Sequence, residues 1–283
     1  MEAIGPLDRL PEDLRRAFLP DGDFEPISVP GPNDWLAVHA EAGQSFTDFV
    51  KSRPNRPDAV RNTIYLQPLE DFQTSNAPPV DKLAQFAKAF FAMNVEVLPP
   101  LATFSRQITT RINPYTRQVQ LLTRDILRLL SENLPKNAFC VVAISIRDLY
   151  PGPSWNFVFG EASLRDRVGV YSFARYDPRF YGINSSNRDS LMLRRSCKVL
   201  AHETSHMFGI QHCIYFTCLM NGSNHLEESD RRPLHLCPVD LRKLHYSIGF
   251  DIKQRYRNLF EFFKAVHFDD EAQWLEQRLS RIA

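Results

Sequence analysis

Residues 202–212 constrain this chain more than any other part of it, and they are His-Glu-Thr-Ser-His-Met-Phe-Gly-Ile-Gln-His. Side chains four positions apart on a helix point to the same side, so His202 and His206 can bind one metal ion. Glu203 then lies beside the ion, where its carboxylate can take a proton from metal-activated water. Gly209 permits the positive φ that ends the helix, after which His212 can return as a third ligand. Three imidazole ligands leave one tetrahedral position open, which is typical of a catalytic zinc.

The composition is that of a folded, soluble protein. Hydrophobic residues make up 43% of the 283 residues, and 34 Lys and Arg nearly balance 33 Asp and Glu. This balance leaves no global field to attract nucleic acid. No stretch approaches the roughly 20 apolar residues that span a bilayer, and the N-terminus lacks a signal-peptide pattern. We expect an intracellular protein, cytoplasmic or nuclear, with no nucleic-acid or membrane partner and monomeric by default.

The five cysteines fall into two groups. Cys213, Cys218 and Cys237 lie in one short region that is also rich in histidine, and in a reducing compartment such clustering favours metal over a disulfide. Cys140 and Cys197 have no partner at metal-ligand spacing and are expected in the core.

The sequence predicts a Pro-rich, partly irregular N-terminal extension over 1–80 and one domain over 81–283. Apolar spacing and turn residues predict a mixed sheet flanked by helices. The predicted strands are 63–69, 95–98, 138–150, 155–162 and 168–176; the predicted helices are 81–94, 116–133, one from about 188 that Gly209 ends, one that begins at Pro238, and two at about 252–267 and 269–281.

The segment Cys213-Ile-Tyr-Phe-Thr-Cys218-Leu-Met220, followed by Cys237-Pro-Val-Asp240, resembles the archaemetzincins. The resemblance covers roughly 140–250. It implies an α/β (α+β) metzincin-like zinc-peptidase domain, with a mixed sheet, an active-site helix and C-terminal helices. It also implies a second zinc on cysteines downstream of the histidine motif, and it places Met220 in a tight turn beneath the three histidines. Met220 is otherwise an ordinary core methionine, and both interpretations bury it.

Asp240 stands where the family has its fourth cysteine. Three thiolates and a carboxylate can still form a tetrahedral zinc site, although carboxylate oxygen is the harder ligand. Asp240 can instead cap the helix that begins at Pro238, in which case His235, His245 or water would complete the site. We therefore expect two zinc ions per chain, one catalytic and one structural, with Asp240 as the ligand that departs from the family pattern.

The predicted function is hydrolysis of peptide bonds in a peptide or protein substrate, with Glu203 as the general base. A non-catalytic zinc-binding module that recognises peptides is the alternative, and a hydrolase of non-peptide amides shares the same metal chemistry. Aminopeptidase and endopeptidase action both stay open; Glu227 or Glu228 could receive a substrate ammonium group. The strand over 155–162 resembles the cleft strand of metzincins and would bind substrate by strand addition.

Overall fold

The structure is a computed structural model that describes residues 2–70, 72, 77–101 and 107–282. Two compact units divide the chain. We call residues 57–88 and 93–207 the sheet unit, and residues 1–56, 89–92 and 208–283 the helical unit. Among the described residues, no helix combines the length and apolarity that a membrane crossing requires.

The secondary structure alternates between strands and helices through the middle of the chain and is helical near its end. The strands are β1 (Thr63–Pro68), β2 (Asn94–Val97), β3 (Thr110–Ile112), β4 (Val119–Leu122), β5 (Ala138–Ser145), β6 (Asp148–Tyr150), β7 (Gly160–Ser163) and β8 (Val168–Ser172). The α-helices are α1 (Glu12–Ala17), α2 (Trp35–Val38), α3 (Phe46–Lys51), α4 (Val80–Phe91), α5 (Thr123–Glu132), α6 (Arg188–Met207), α7 (Leu226–Asp230), α8 (Pro238–Ile248), α9 (Ile252–Ala265) and α10 (Asp269–Arg281).

The sheet unit is built on a mixed five-stranded sheet in the order β2-β1-β5-β8-β7. The first four strands are parallel, and β7 pairs antiparallel with β8 at the edge. All residues of β5 are buried, as its continuous apolar run predicts for a central strand. The mixed α/β fold is therefore confirmed. A smaller sheet, β3-β4-β6, lies in the same unit.

Four predicted elements in the sheet unit are wrong in extent. The strand predicted over 138–150 is divided into β5 and β6, which lie in different sheets, and the strand predicted over 168–176 ends at Ser172. The helix predicted over 116–133 begins only at Thr123, because Val119–Leu122 form β4 between β3 and β6. The strand predicted over 155–162 is β7, which starts at Gly160; before it, Trp155 is exposed, and Val158 makes an isolated bridge to Leu149.

In the helical unit, buried arginines attach the N-terminal segment to the C-terminal helices. Arg278 of α10 is fully buried and donates to the main-chain oxygens of Ala17 and Leu19 at 2.9 and 3.1 Å. Its ion pair with Asp23 compensates the buried charge. These bonds satisfy a carbonyl group at the end of α1 and one in the irregular backbone that follows it.

Candidate metal centres

Helix α6 carries the first two histidines of the motif. His202 Nε2 and His206 Nε2 lie 3.1 Å apart, and their rings are nearly perpendicular with centroids 4.7 Å apart. Two nitrogens bound to one tetrahedral zinc at about 2.0–2.1 Å are separated by about 3.4 Å. The donor atoms of this pair therefore fit a single zinc ion.

Glu203 follows His202 on the same helix and is half-buried. Burial raises the pKa of its carboxyl group above the ordinary value, and the nearby His206 opposes that shift. A carboxyl group with a raised pKa is a stronger base when it is ionised, which is what proton abstraction from water requires.

The chain turns sharply after α6. The helix ends at Met207, and Gly209 has φ +83°, a left-handed conformation that a residue with a Cβ adopts at a cost. His212 comes after this turn, in the helical unit, where its Nδ1 lies 2.7 Å from Glu41 Oε1. The helix end and the glycine turn are thus where the motif predicts them.

The three clustered cysteines and Asp240 converge in the helical unit. One ligand atom from each of the four buried side chains lies within 4.8 Å of those of the others. Cys213 Sγ is 3.6 Å from Cys237 Sγ, and Asp240 Oδ2 is 3.3 Å from Cys218 Sγ and 3.5 Å from Cys237 Sγ. Ligands of one tetrahedral zinc would be separated by about 3.8 Å for two sulfurs and about 3.6 Å for sulfur and oxygen. The four donors therefore have the spacing of one zinc site.

The other donors that the sequence offered for this site lie elsewhere. His235 stacks on Trp274 and faces Glu271, while His245 packs edge-on against the ring of Phe18. Asp240 is at the third position of α8, but its Oδ2 faces the thiols and its Oδ1 accepts a hydrogen bond from Lys243. The carboxylate is thus directed to the cluster rather than to the first-turn amides.

Burial and hydrogen bonds set the protonation of this cluster. Hydrogen bonds from Cys218 and then Cys237 lower the pKa of the Cys213 thiol, whereas burial raises the pKa values of Cys218 and Cys237 well above their ordinary range. Burial also raises the pKa of Asp240 to about 6, against the opposing charge of Lys243. Ionising all four groups in this buried place needs a divalent ion, since Lys243 supplies one positive charge.

Two residues that the sequence analysis missed organise the cluster. Asn221 donates to the main-chain oxygens of Cys213 and Phe216 at 2.8 and 2.9 Å and accepts from the Cys218 amide. It comes directly after Met220, which is fully buried in the tight turn that starts at Cys218. Lys243 is the second missed residue. Its spacing from Asp240, three positions along a predicted helix, was the available signal.

The sequence and structure resemble those of known peptidases. The model of peptidase family M54 matches residues 106–246. Archaemetzincin-2 of Homo sapiens is 40% identical over an alignment that covers 92% of this chain and 79% of that protein. Archaemetzincin-1 of Homo sapiens is 33% identical over 94% of this chain and 59% of that protein. The crystal structure of an archaemetzincin from Methanopyrus kandleri has a TM-score of 0.50 and 26% identity, covering 68% of this chain and 97% of that one. A zinc-dependent peptidase from Methanocorpusculum labreanum, with a TM-score of 0.51 and 23% identity, shares the fold.

Proposed function

This chain belongs to the archaemetzincins, peptidase family M54, and is a zinc metallopeptidase; from that premise we propose the residues that perform its hydrolysis. His202, His206 and His212 hold the catalytic zinc, and Glu203 is the general base. The observation that carries this assignment is the 3.1 Å separation of the His202 and His206 Nε2 atoms on α6, with Glu203 between them in sequence. The motif and the turn at Gly209 support His212 as the third ligand.

When bound, zinc activates the attacking water and polarises the scissile carbonyl. Glu203 accepts a proton from that water as the water oxygen bonds to the carbonyl carbon. The same carboxyl group then passes the proton to the leaving amine as the C–N bond breaks. Its place next to His202 in the helix keeps the base beside the metal without making it a ligand.

The edge strand β7 supports a mode of substrate binding. Glu161 pairs with Val170 and Ala162 with Gly169, and within the described part of the chain no strand pairs with the other side of β7. We propose that an extended peptide adds to the other side of β7 through main-chain hydrogen bonds. Such binding recognises the backbone of the substrate, and it suits both exopeptidase and endopeptidase action.

We also propose that Cys213, Cys218, Cys237 and Asp240 hold a second, structural zinc. The 3.6 Å distance between Cys213 and Cys237 and the direction of Asp240 support this. Backbone amides of Met220 and Cys237 lie 3.5 and 3.2 Å from Cys218 Sγ, where they favour its thiolate form. The buried turn at Met220 supports its assignment to the apolar floor of the histidine site. An intracellular location and a monomeric state stay predictions of the sequence.

The test of the mechanism is Glu203→Gln, which keeps the size of the side chain and removes the base. We expect zinc content to stay at the wild-type value and turnover of a peptide library to fall by about 10²- to 10⁴-fold. His202→Ala is the companion variant, and it should lose both the catalytic zinc and activity. Unchanged turnover in the Glu203→Gln enzyme would refute the base assignment, and peptide binding without turnover in the wild type would favour the non-catalytic module.

A further inference from the structure

The N-terminal segment 31–44, here called the strap, reaches the third histidine of the motif. We propose that Glu41 of the strap is a positioning residue for the catalytic metal centre, acting through His212. Glu41 accepts a hydrogen bond from the Nδ1–H group of the His212 imidazole. The Nε2 lone pair of His212 is then the one that binds the metal. This inference rests on the proposed function, since it takes His212 to be a zinc ligand.

The hydrogen bonds of Glu41 define the tautomer of the histidine. Glu41 Oε1 lies 2.7 Å from His212 Nδ1 and 2.9 Å from Trp35 Nε1. The indole N–H can only donate, so Oε1 is an acceptor. A carboxylate oxygen so placed favours the proton on His212 Nδ1. Metal-bound histidines characteristically donate their second nitrogen to such a partner, which orients the ring and raises its basicity as a ligand.

Trp35 holds the same imidazole from a second direction. Its ring meets the His212 ring edge-on, with centroids 5.2 Å apart and an interplanar angle of 83°. Gly222 contacts the indole so closely that a Cβ there would overlap it. The hydrogen bond and the aromatic contact together restrict both tilt and rotation of the imidazole.

The strap is anchored on both sides of Glu41, so it can position another group. Asp34 Oδ1 lies 2.9 Å from Arg231, and the Trp35 amide donates to Glu228 Oε1 at 2.9 Å. Glu228, which the sequence offers as an acceptor for a substrate ammonium group, thus also binds the strap. At the other end, Gln44 donates to the Gly209 oxygen and accepts from the Gln211 amide, both at 3.1 Å. The strap is therefore hydrogen-bonded to the turn at Gly209–Gln211, which directly precedes His212.

The two carboxylate oxygens of Glu41 differ in their contacts. Its Oε2 is buried, and no hydrogen bond reaches it from the described residues. A buried acceptor without a partner calls for an explanation, and a role beside the metal centre is one.

The experiment measures zinc affinity and histidine tautomer in the full chain. Glu41→Ala removes the acceptor, and Glu41→Gln keeps an oxygen without the charge. Glu25→Gln is the matched control, since Glu25 has an exposed side chain in the same N-terminal segment. Trp35→Phe keeps an aromatic ring and removes the second donor to Glu41.

Competition between Zn²⁺ and a chelator gives the zinc affinity of the histidine site. Cobalt(II) absorption distinguishes metal bound at the histidine site from metal bound at the thiolate site. Nitrogen-15 NMR of histidine-labelled protein reports the protonated ring nitrogen.

We expect Glu41→Ala to weaken zinc binding at the histidine site by about 10- to 100-fold. In this variant the proton of the neutral His212 ring should no longer be confined to Nδ1. Glu41→Gln should lose less affinity and keep the tautomer, while Glu25→Gln should match the wild type. Equal zinc affinity in Glu41→Ala and Glu25→Gln would overturn the inference. So would equal losses in Glu41→Ala and Trp35→Phe with an unchanged tautomer, because they would mark a purely structural strap. If His202→Ala binds as much zinc as the wild type, the proposed function itself fails.

Discussion

The pair Asp240 and Lys243 offers a direct test of the fourth ligand of the second zinc site. Their side chains are 0% and 1% exposed, and Lys243 Nζ lies 2.9 Å from Asp240 Oδ1. Removing one partner of a buried ion pair leaves an uncompensated charge and costs about 3–5 kcal/mol. In chelator, Asp240→Ala and Lys243→Met should each lose about this much free energy of unfolding. The double variant should recover most of the loss, because replacing both partners by apolar groups is often close to neutral.

The effect of zinc on stability shows whether Asp240 is a zinc ligand or only the counterion of Lys243. If Asp240 binds zinc, the double variant stays less stable than the wild type at a fixed free zinc concentration. Each tenfold loss of zinc affinity removes about 1.4 kcal/mol from the free energy of unfolding that zinc binding contributes. A hundredfold weaker site would thus lose about 2.7 kcal/mol. Lys243→Met should behave in the opposite way. It keeps all four donors, so zinc compensates the buried carboxylate and stabilises this variant more than it stabilises Asp240→Ala.

The assay is urea unfolding of the four proteins, each in a zinc buffer and in chelator, together with metal content per chain. The wild type should hold two zinc ions, and the variants that lack Asp240 should hold the second one weakly. A double variant that gains as much stability from zinc as the wild type would refute ligation by Asp240. In that case Asp240 would serve only to neutralise Lys243.

Two further predictions concern the glycine turn and a buried acid of the sheet unit. Gly209→Ala should cost about 1–2 kcal/mol, because a Cβ is strained at φ +83°, and it should weaken zinc binding at the histidine site; unchanged unfolding and chelator competition would contradict the role of this turn. Glu70 is 10% exposed, and burial raises its pKa from 4.5 to about 6, opposed by a hydrogen bond from Ser145. The folded state therefore binds the proton more tightly, and stability falls as pH rises from about 4.5 to 6. Glu70→Gln should remove this slope of about 2 kcal/mol, as urea unfolding at pH 4 and pH 7.5 would measure; a variant with the wild-type slope would contradict it.

The sequence predicted most elements whose periodicity is long and unbroken. Helix α6 and the start of α8 at Pro238 match their predictions, and the range predicted as a central strand, 138–150, contains β5, because each has many residues that agree on one pattern. The errors lie where a short strand adjoins another element. Val119 and Leu122 fit the apolar stripe of α5, and only pairing with β3 and β6 shows that they belong to a strand. Such pairing depends on residues distant in sequence, which a local pattern does not contain.

The same distinction applies to the metal centres. Asp240 and Lys243 are three positions apart on one helix, so their contact follows from helical geometry once the helix is predicted. Glu41 and His212 are separated by 171 positions, and Glu41 lies in a Pro-rich segment with no periodicity to relate it to the motif. The local motif thus accounts for the donor atoms on α6, whereas the support of His212 depends on a chain segment far away. A truncated protein without 1–44 would keep every proposed zinc ligand and lose the partner of His212 Nδ1. Its histidine site should therefore bind zinc more weakly than that of the full chain, even where the remaining residues fold.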